Sequence, residues 1–333
     1  MDQQEVSGIK PPISAARFEK VDKGGQKFSP LSRGERQEMI DYLRMLRIKD
    51  WIKFYPLFPL AGAVLAGGSP DQTLLVLIAY ICLIGYAFAV NNYFDAEIDR
   101  MHRHKVASGT NPMAAGKVGR RGVVVLMLAL VLLPIAISIR LDPTGALFVV
   151  INLLFFTGYS ASFVRLKERY LLDATSHGLM FGALPFLAGF LLCGGELSWG
   201  TILISLLFFI VGCEALIAHQ IVDYAEDLGS TTTTVTRIGP KNGLLMLGGL
   251  AAISLAFTFA AARLFQLSLA VAAASALYLM VYPTYSVRGM LNDISDRSRA
   301  ERGGADRSDP KVPCKPIPGN RELRDHSSRW GLR

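Results

Sequence analysis

The chain has 333 residues, 51% of them hydrophobic and only 19% charged, and its apolar residues are gathered in blocks rather than spread with the periodicity of a globular core. This is the composition of an all-α integral membrane protein, and it excludes a disulfide-stapled secreted domain because the four cysteines show neither a bridging framework nor zinc-ligand spacing. The net charge of +8 is divided among loops that flank apolar segments, so it reads as a topology signal and not as a nucleic-acid surface.

Residues 1–31 are polar and lack the apolar region of a signal peptide, which predicts a disordered cytoplasmic tail before a membrane-embedded domain over 32–287. Ser32 followed by Glu35 has capping-box spacing. The stretch to Lys53 then reads as a helix along the membrane surface, with Met39, Ile40, Leu43, Leu46 and Ile48 on or near one face.

A helical span needs about 20 apolar residues. Eight candidates follow, near 54–68, 72–91, 122–140, 144–163, 177–194, 199–219, 243–262 and 265–285. The first is short and carries Pro56 and Pro59, which predicts a kinked or re-entrant helix. Of the 35 Lys and Arg, only Arg140 and Arg263 fall on one side of this layout, so both termini and the loops 91–121, 164–176 and 220–242 are expected in the cytoplasm. Residues 288–333 are rich in Arg, Asp, Gly and Pro and are expected to stay disordered.

The segment LFPLAGAVLAGG at 57–68 aligns without gaps with LPFLAGFLLCGG at 184–195, an offset of 127 residues with seven of twelve positions identical. Acidic runs that begin at Asp95 and Asp223 lie 128 residues apart, each after the second span of its half. Two four-helix halves around a central cavity, with a shared site at their interface, is the arrangement this predicts.

The first run, NNYFDAEIDR at 91–100, places Asn91, Asp95 and Asp99 at i, i+4 and i+8, on one face of a continuing helix. The second, DYAED at 223–227, repeats the spacing with Asp223 and Asp227. Carboxylates at helical-turn spacing repel each other, and near hydrocarbon they need a cationic partner. Mg²⁺ suits them, because it takes oxygen ligands and typically uses one or two carboxylates together with substrate phosphate oxygens. Basic residues stand near both runs, among them Lys53, Lys105, Lys117 and Arg237, so a substrate that carries metal and phosphates satisfies every sign of charge. Tyr159, Ser160, Lys167 and Asp173 gather where the fourth span meets the cytoplasm, a place for interface anchors first and a substrate wall second.

These runs and their flanks resemble the UbiA-type superfamily of intramembrane prenyltransferases. The family's first motif, N-D-x-x-D-x-x-x-D, is met by Asn91, Asn92, Asp95 and Asp99, with Asn92 in place of the usual aspartate; NPMAAGKV at 111–118 is similar to its basic loop segment, and YSASFVRLKERYLLD at 159–173 to its Tyr-Ser and Lys-bearing loop. The second motif is matched by Asp223, Asp227, Gly229, Thr231 and Gly239, and the run LRIKDWIKF at 46–54 is similar to the segment that precedes the first helix. The resemblance covers about residues 40–285 and implies a bundle of usually nine spans with an isoprenoid tunnel. It implies a prenyl diphosphate donor and a lipophilic acceptor in membrane lipid, with Asp95, Asp99, Asp223 and Asp227 as catalytic ligands of Mg²⁺. Asn91, Lys53, Lys105, Lys117, Arg237, Tyr159 and Lys167 would then bind substrate.

Two other readings stay open at this level. Phosphoribosyl transfer from a sugar diphosphate to a polyprenyl phosphate uses the same metal logic on the same fold. A transporter shares repeats and intramembrane acids, although its acids belong near the bilayer midplane and not at helix ends. A CDP-alcohol phosphotransferase would need a D-G-x-x-A-R opening, which this sequence does not contain.

Overall fold

The computed structural model describes residues 32–101, 106–107, 109–229, 231–266, 268–270 and 272–277, and among these every regular element is helical. The proposed terminal tails, Lys105 and much of the predicted span 265–285 lie outside the described residues.

Helix α1 (Arg33–Arg44) begins as the spacing predicts. Ser32 Oγ accepts from Glu35 N at 3.2 Å, and the Glu35 carboxylate accepts from Ser32 N at 2.7 Å, which holds the Glu35 carboxyl below the ordinary range. Met39, Ile40 and Leu43 are exposed on it, an apolar face suited to a lipid surface. A short helix α2 (Ile48–Trp51) follows, and Trp51 is buried with its indole N–H donating to Leu46 O at 2.7 Å.

Among the described residues six helices are long and apolar enough to cross a membrane: α4 (Pro70–Met101), α5 (Arg120–Leu141), α6 (Pro143–Ser160), α7 (Leu172–Leu192), α8 (Trp199–Val222) and α11 (Pro240–Leu264). They coincide with six of the eight predicted segments. The predicted first span is instead the nine-residue α3 (Leu57–Leu65), less than half the length a bilayer requires. Short helices α9 (Tyr224–Asp227) and α10 (Thr234–Ile238) link α8 to α11.

Helix α7 is the interior element, with 83% of its apolar window buried against 17% for α5 and for α11, so the latter two form the lipid-facing flanks. Its close packing depends on missing side chains. A Cβ on Gly182 would fall on the Phe208 carbonyl oxygen, and one on Gly212 would come within 2.8 Å of Gly178 Cα, so α7 and α8 approach backbone to backbone. Between Leu179 and Ala183 the helix opens into one π-helical turn, an irregularity common at functional sites.

The repeat found in the sequence is a physical interface. A Cβ on Gly62 would collide with Phe186 O and one on Gly189 with Pro59 O, so the two copies meet reciprocally, each through the same two positions. Both copies also end alike. Gly67 and Gly194 have φ of +72° and +81°, and Gly68 N and Gly195 N donate back to Ala63 O and Phe190 O at 2.9 and 3.0 Å. The left-handed glycine and the bond reaching five residues back are a Schellman ending, which explains why the double glycine occurs in both copies.

Candidate active site

Helix α4 runs unbroken through Met101, so Asn91, Asp95 and Asp99 do share one face. Asp95 pairs with Lys167 Nζ and lies 3.5 Å from an Arg165 guanidinium nitrogen, while Lys167 also donates to Asn91 Oδ1 at 2.8 Å. Ser160 Oγ donates to the same Asn91 oxygen at 3.2 Å. Burial pushes the Lys167 ammonium below the usual lysine range, and the Asp95 carboxylate opposes that shift. Arg165 is fixed by Glu168 at 2.6 Å and has a left-handed backbone with φ of 48°.

Asp99 is buried and accepts from Asn111 Nδ2 at 3.0 Å. The same Nδ2 donates to Asn92 O at 2.8 Å, and Asn111 Oδ1 accepts from the Met113 and Ala114 amides at 3.2 and 3.3 Å, so the Asn-Pro loop is docked on α4. Asn92 itself is 2% exposed, and its amide donates to Met45 O at 3.0 Å. The residue that departs from the family motif thus clamps α4 to the segment after α1. An aspartate here would have no N–H for that carbonyl.

Asp223 caps α8, and its carboxylate lies 3.1 Å from His219 Nε2; Asp227 N donates to Asp223 O at 2.9 Å, which preserves the i, i+4 relation across the helix break. The loop behind it hangs on Asp173. This fully buried carboxylate accepts from Gln220 Nε2 at 2.7 Å, from Thr234 N at 2.6 Å, from Thr234 Oγ1 and from its neighbour Ala174 N. Asp173 thus ties the start of α7 to α8 and to the loop that follows the second acidic run.

A cavity of about 480 Å³ is lined by Asn91 from α4 and His219 from α8; the four aspartates lie outside its lining, Asp95 linked to it through the Lys167 bond to Asn91 and Asp223 through His219. Tyr159 also lines it, within electrostatic reach of both Asp95 and Asp227. Much of the wall is aromatic: Tyr55 and Phe181 stack at 4.3 Å, with Phe54, Phe88 and Phe156 around them. His177 Nδ1 donates to Gly212 O at 2.8 Å, which leaves Nε2 to accept from the Tyr55 hydroxyl at 3.4 Å.

The expected basic residues are placed unevenly. Lys167 is in the site, but Lys53 and Lys117 are exposed and make no ion pair among the described residues. Arg237 stacks 4.8 Å above the Tyr170 ring beside a separate polar recess lined by Thr231, Thr232 and Thr236. A second positive charge beside Asp95 comes from Arg165, and Arg47 lines the cavity within 5.5 Å of the Phe88 ring; the sequence reading singles out neither. Their αL backbones, both with φ of 48°, follow from the turns they occupy, and nothing in their local sequence signals them.

The carboxylates fit Mg²⁺ in a particular sense. Among the described residues, no three His, Cys, Asp or Glu side chains converge as a self-sufficient metal site. Each run offers two aspartates at one-turn spacing, the first adds an amide oxygen, and Asp95 Oδ1 is buried without a hydrogen bond, facing the Arg165 guanidinium at 3.5 Å. Such an oxygen-only, incomplete set is what Mg²⁺ accepts when phosphate oxygens supply the remainder.

Comparison with known proteins agrees with this geometry. Residues 56–300 match the model of the UbiA prenyltransferase family, and the chain belongs to that family. It is accordingly a multi-pass membrane prenyltransferase, which decides against the transporter. It is 26% identical over 206 residues to digeranylgeranylglyceryl phosphate synthase of Natronomonas pharaonis, covering 58% of this chain and 67% of that one. Protoheme IX farnesyltransferase of Staphylococcus carnosus is 30% identical over 142 residues, 42% of this chain and 45% of that one. The structure of a UbiA homologue from Archaeoglobus fulgidus bound to GPP and Mg²⁺ superposes with a TM-score of 0.63 at 21% identity, covering 74% of this chain and 86% of that one.

Proposed function

We propose that this protein transfers a prenyl group from an allylic diphosphate to a lipophilic acceptor in a Mg²⁺-dependent reaction within the membrane, with the diphosphate held between the two acidic runs. The observation that carries this reading is an aromatic-walled cavity that reaches Asn91 of the first acidic run and, through His219, lies one side chain away from Asp223 of the second. The binding of GPP and Mg²⁺ by the Archaeoglobus homologue supports the same assignment.

In this reading Asp95, Asp99, Asp223 and Asp227 would hold Mg²⁺, with Asn91 adding a neutral oxygen. The bound metal would neutralise the diphosphate and stabilise it as a leaving group. Lys167 and Arg165, now paired with Asp95, turn toward phosphate oxygens when the diphosphate arrives, adding fixed positive charge where the leaving group develops negative charge. The C1–O bond breaks and diphosphate leaves with the electron pair. Aromatic faces such as Phe88 and Tyr159 stabilise the allylic cation by cation–π attraction and exclude water from it. The acceptor nucleophile bonds to C1 and gives up its proton to the diphosphate that has just left. The positive-inside distribution puts this end of the cavity at the cytoplasmic face.

The test is Mg²⁺-dependent release of diphosphate and formation of labelled lipid by protein in nanodiscs, given radiolabelled geranylgeranyl diphosphate and a pooled lipid extract. Asp95→Ala and Asp223→Ala should each lower the rate at least about 100-fold, the scale seen when one electrostatic stabiliser of a transition state is removed. Turnover that survives in both folded variants, or that is indifferent to Mg²⁺, would remove the acidic runs from the mechanism.

A further inference from the structure

Glu214 is a carboxylate that the reaction just described leaves unused. It lies within the spanning helix α8 and lines the central cavity, yet it is only 1% exposed, and neither carboxyl oxygen has a hydrogen-bond partner. Ser254 approaches from α11, but its hydroxyl donates to Ala251 O at 3.0 Å. An acidic side chain inside a membrane bundle is costly and points to a pathway or a ligand. A wall made only for hydrocarbon has no use for it.

Its depth limits what it can touch. Glu214 precedes Asp223 by nine residues, which on a helix is about 13 Å along the axis, so it is out of reach of a diphosphate held at the aspartates. The isoprenoid tail that would extend into the cavity has no polar atom to offer it. The remaining occupant is the acceptor. The cavity that Glu214 lines is also bounded by Tyr55, Phe181 and His177, an apolar wall with a few polar groups, as is usual where a small molecule must be oriented.

We propose that Glu214 is an acceptor-binding residue: it receives a hydroxyl of the acceptor, whose apolar body lies along the aromatic wall while its reacting atom faces the acidic end. This rests on the prenyl-transfer reading for the identity of the two substrates. The recognised group is a hydroxyl, whether on a phenolic ring or on a glycerol ether. A site built to pair with a hydroxyl discriminates strongly against the analogue that lacks it, because the carboxyl is then left buried and unpaired.

The experiment is equilibrium binding to full-length protein in nanodiscs, corrected with empty nanodiscs, for two matched pairs of probes: 1-naphthol against naphthalene, and 1-O-dodecylglycerol against dodecyl methyl ether. Wild type should prefer the hydroxylated member of at least one pair by about tenfold or more, and which pair shows it distinguishes a ring from a glycerol lipid. Glu214→Leu should abolish the preference, whereas Glu214→Gln, which keeps an accepting oxygen, should retain most of it. Mg²⁺-dependent binding of geranylgeranyl diphosphate, measured on the same samples, should be unchanged in both variants. No hydroxyl preference in wild type, or a preference that persists in Glu214→Leu, overturns the proposal. Failure of wild type to bind the diphosphate would count against prenyl transfer, and the naphthol and glycerol arms would still decide the role of Glu214.

Discussion

Asp95 is held by two cations before any substrate is present. Lys167 is 15% exposed at its side chain and bonds to both Asp95 and Asn91, so it both relieves the buried carboxylate and orients the amide oxygen beside it. Replacing Lys167 with Met should leave the fold intact, because Arg165 still faces Asp95 at 3.5 Å. The loss of one charge-assisted hydrogen bond, on the order of 1.5–3 kcal/mol, should raise the KM for the prenyl diphosphate by roughly 10- to 100-fold. A steady-state titration of the donor at saturating Mg²⁺ checks this, and an unchanged KM would leave Lys167 a structural partner of Asp95 alone. The sequence singled out Lys167 through its place in the YSASFVRLKERYLLD run but passed over Arg165, two residues earlier in the same run. Only a turn with a left-handed residue brings both side chains to one carboxylate.

The pairing of α3 with α7 is where the repeat has a structural consequence. At Gly62 an added Cβ would meet Phe186 O and come within 2.6 Å of Phe190 N, both backbone atoms that have no rotamer to give way. Gly62→Ala and Gly189→Ala should therefore each destabilise the protein by about 1–3 kcal/mol, the ordinary cost of overpacking, or by more where the helices cannot separate. Gly248→Ala on the lipid-facing α11 has nothing within 4 Å of its Cβ and should be neutral. The midpoints of thermal unfolding in one detergent compare the three directly; equal midpoints would mean that the reciprocal contact is not tight in the folded protein. The hydrophobic blocks located the six long helices, but they overestimated α3, because apolar composition reports burial in a bundle as readily as it reports a span.

Across the whole molecule, the two acidic helix ends belong to one end of the bundle, and the α5–α6 and α7–α8 turns to the other. This makes sidedness testable in a background with the native cysteines replaced. Arg169→Cys and Lys241→Cys, both exposed near the acidic end, should react with an impermeant thiol reagent from the cytoplasmic side of sealed vesicles. Glu196→Cys, exposed in the α7–α8 turn, should react only from the other side. Labelling of all three from one side would contradict the layout.

Local chemistry in the sequence determined that the chain enters a membrane, where its long helices run, that α1 starts with a capping box, and that two carboxylate pairs stand at one-turn spacing. All of these are legible because helical periodicity and capping act over three to eight residues. The tertiary structure alone decided which polar residues converge. Asn92 and Asn111 serve as docking groups and Asp173 as the anchor for Thr234, sixty-one residues away. Arg165 joins Asp95, and Glu214 takes a place on the wall of a shared cavity. Each of these partnerships joins segments that the spacing along one helix cannot relate, and each exists because buried polar groups must find donors and acceptors wherever packing has brought them.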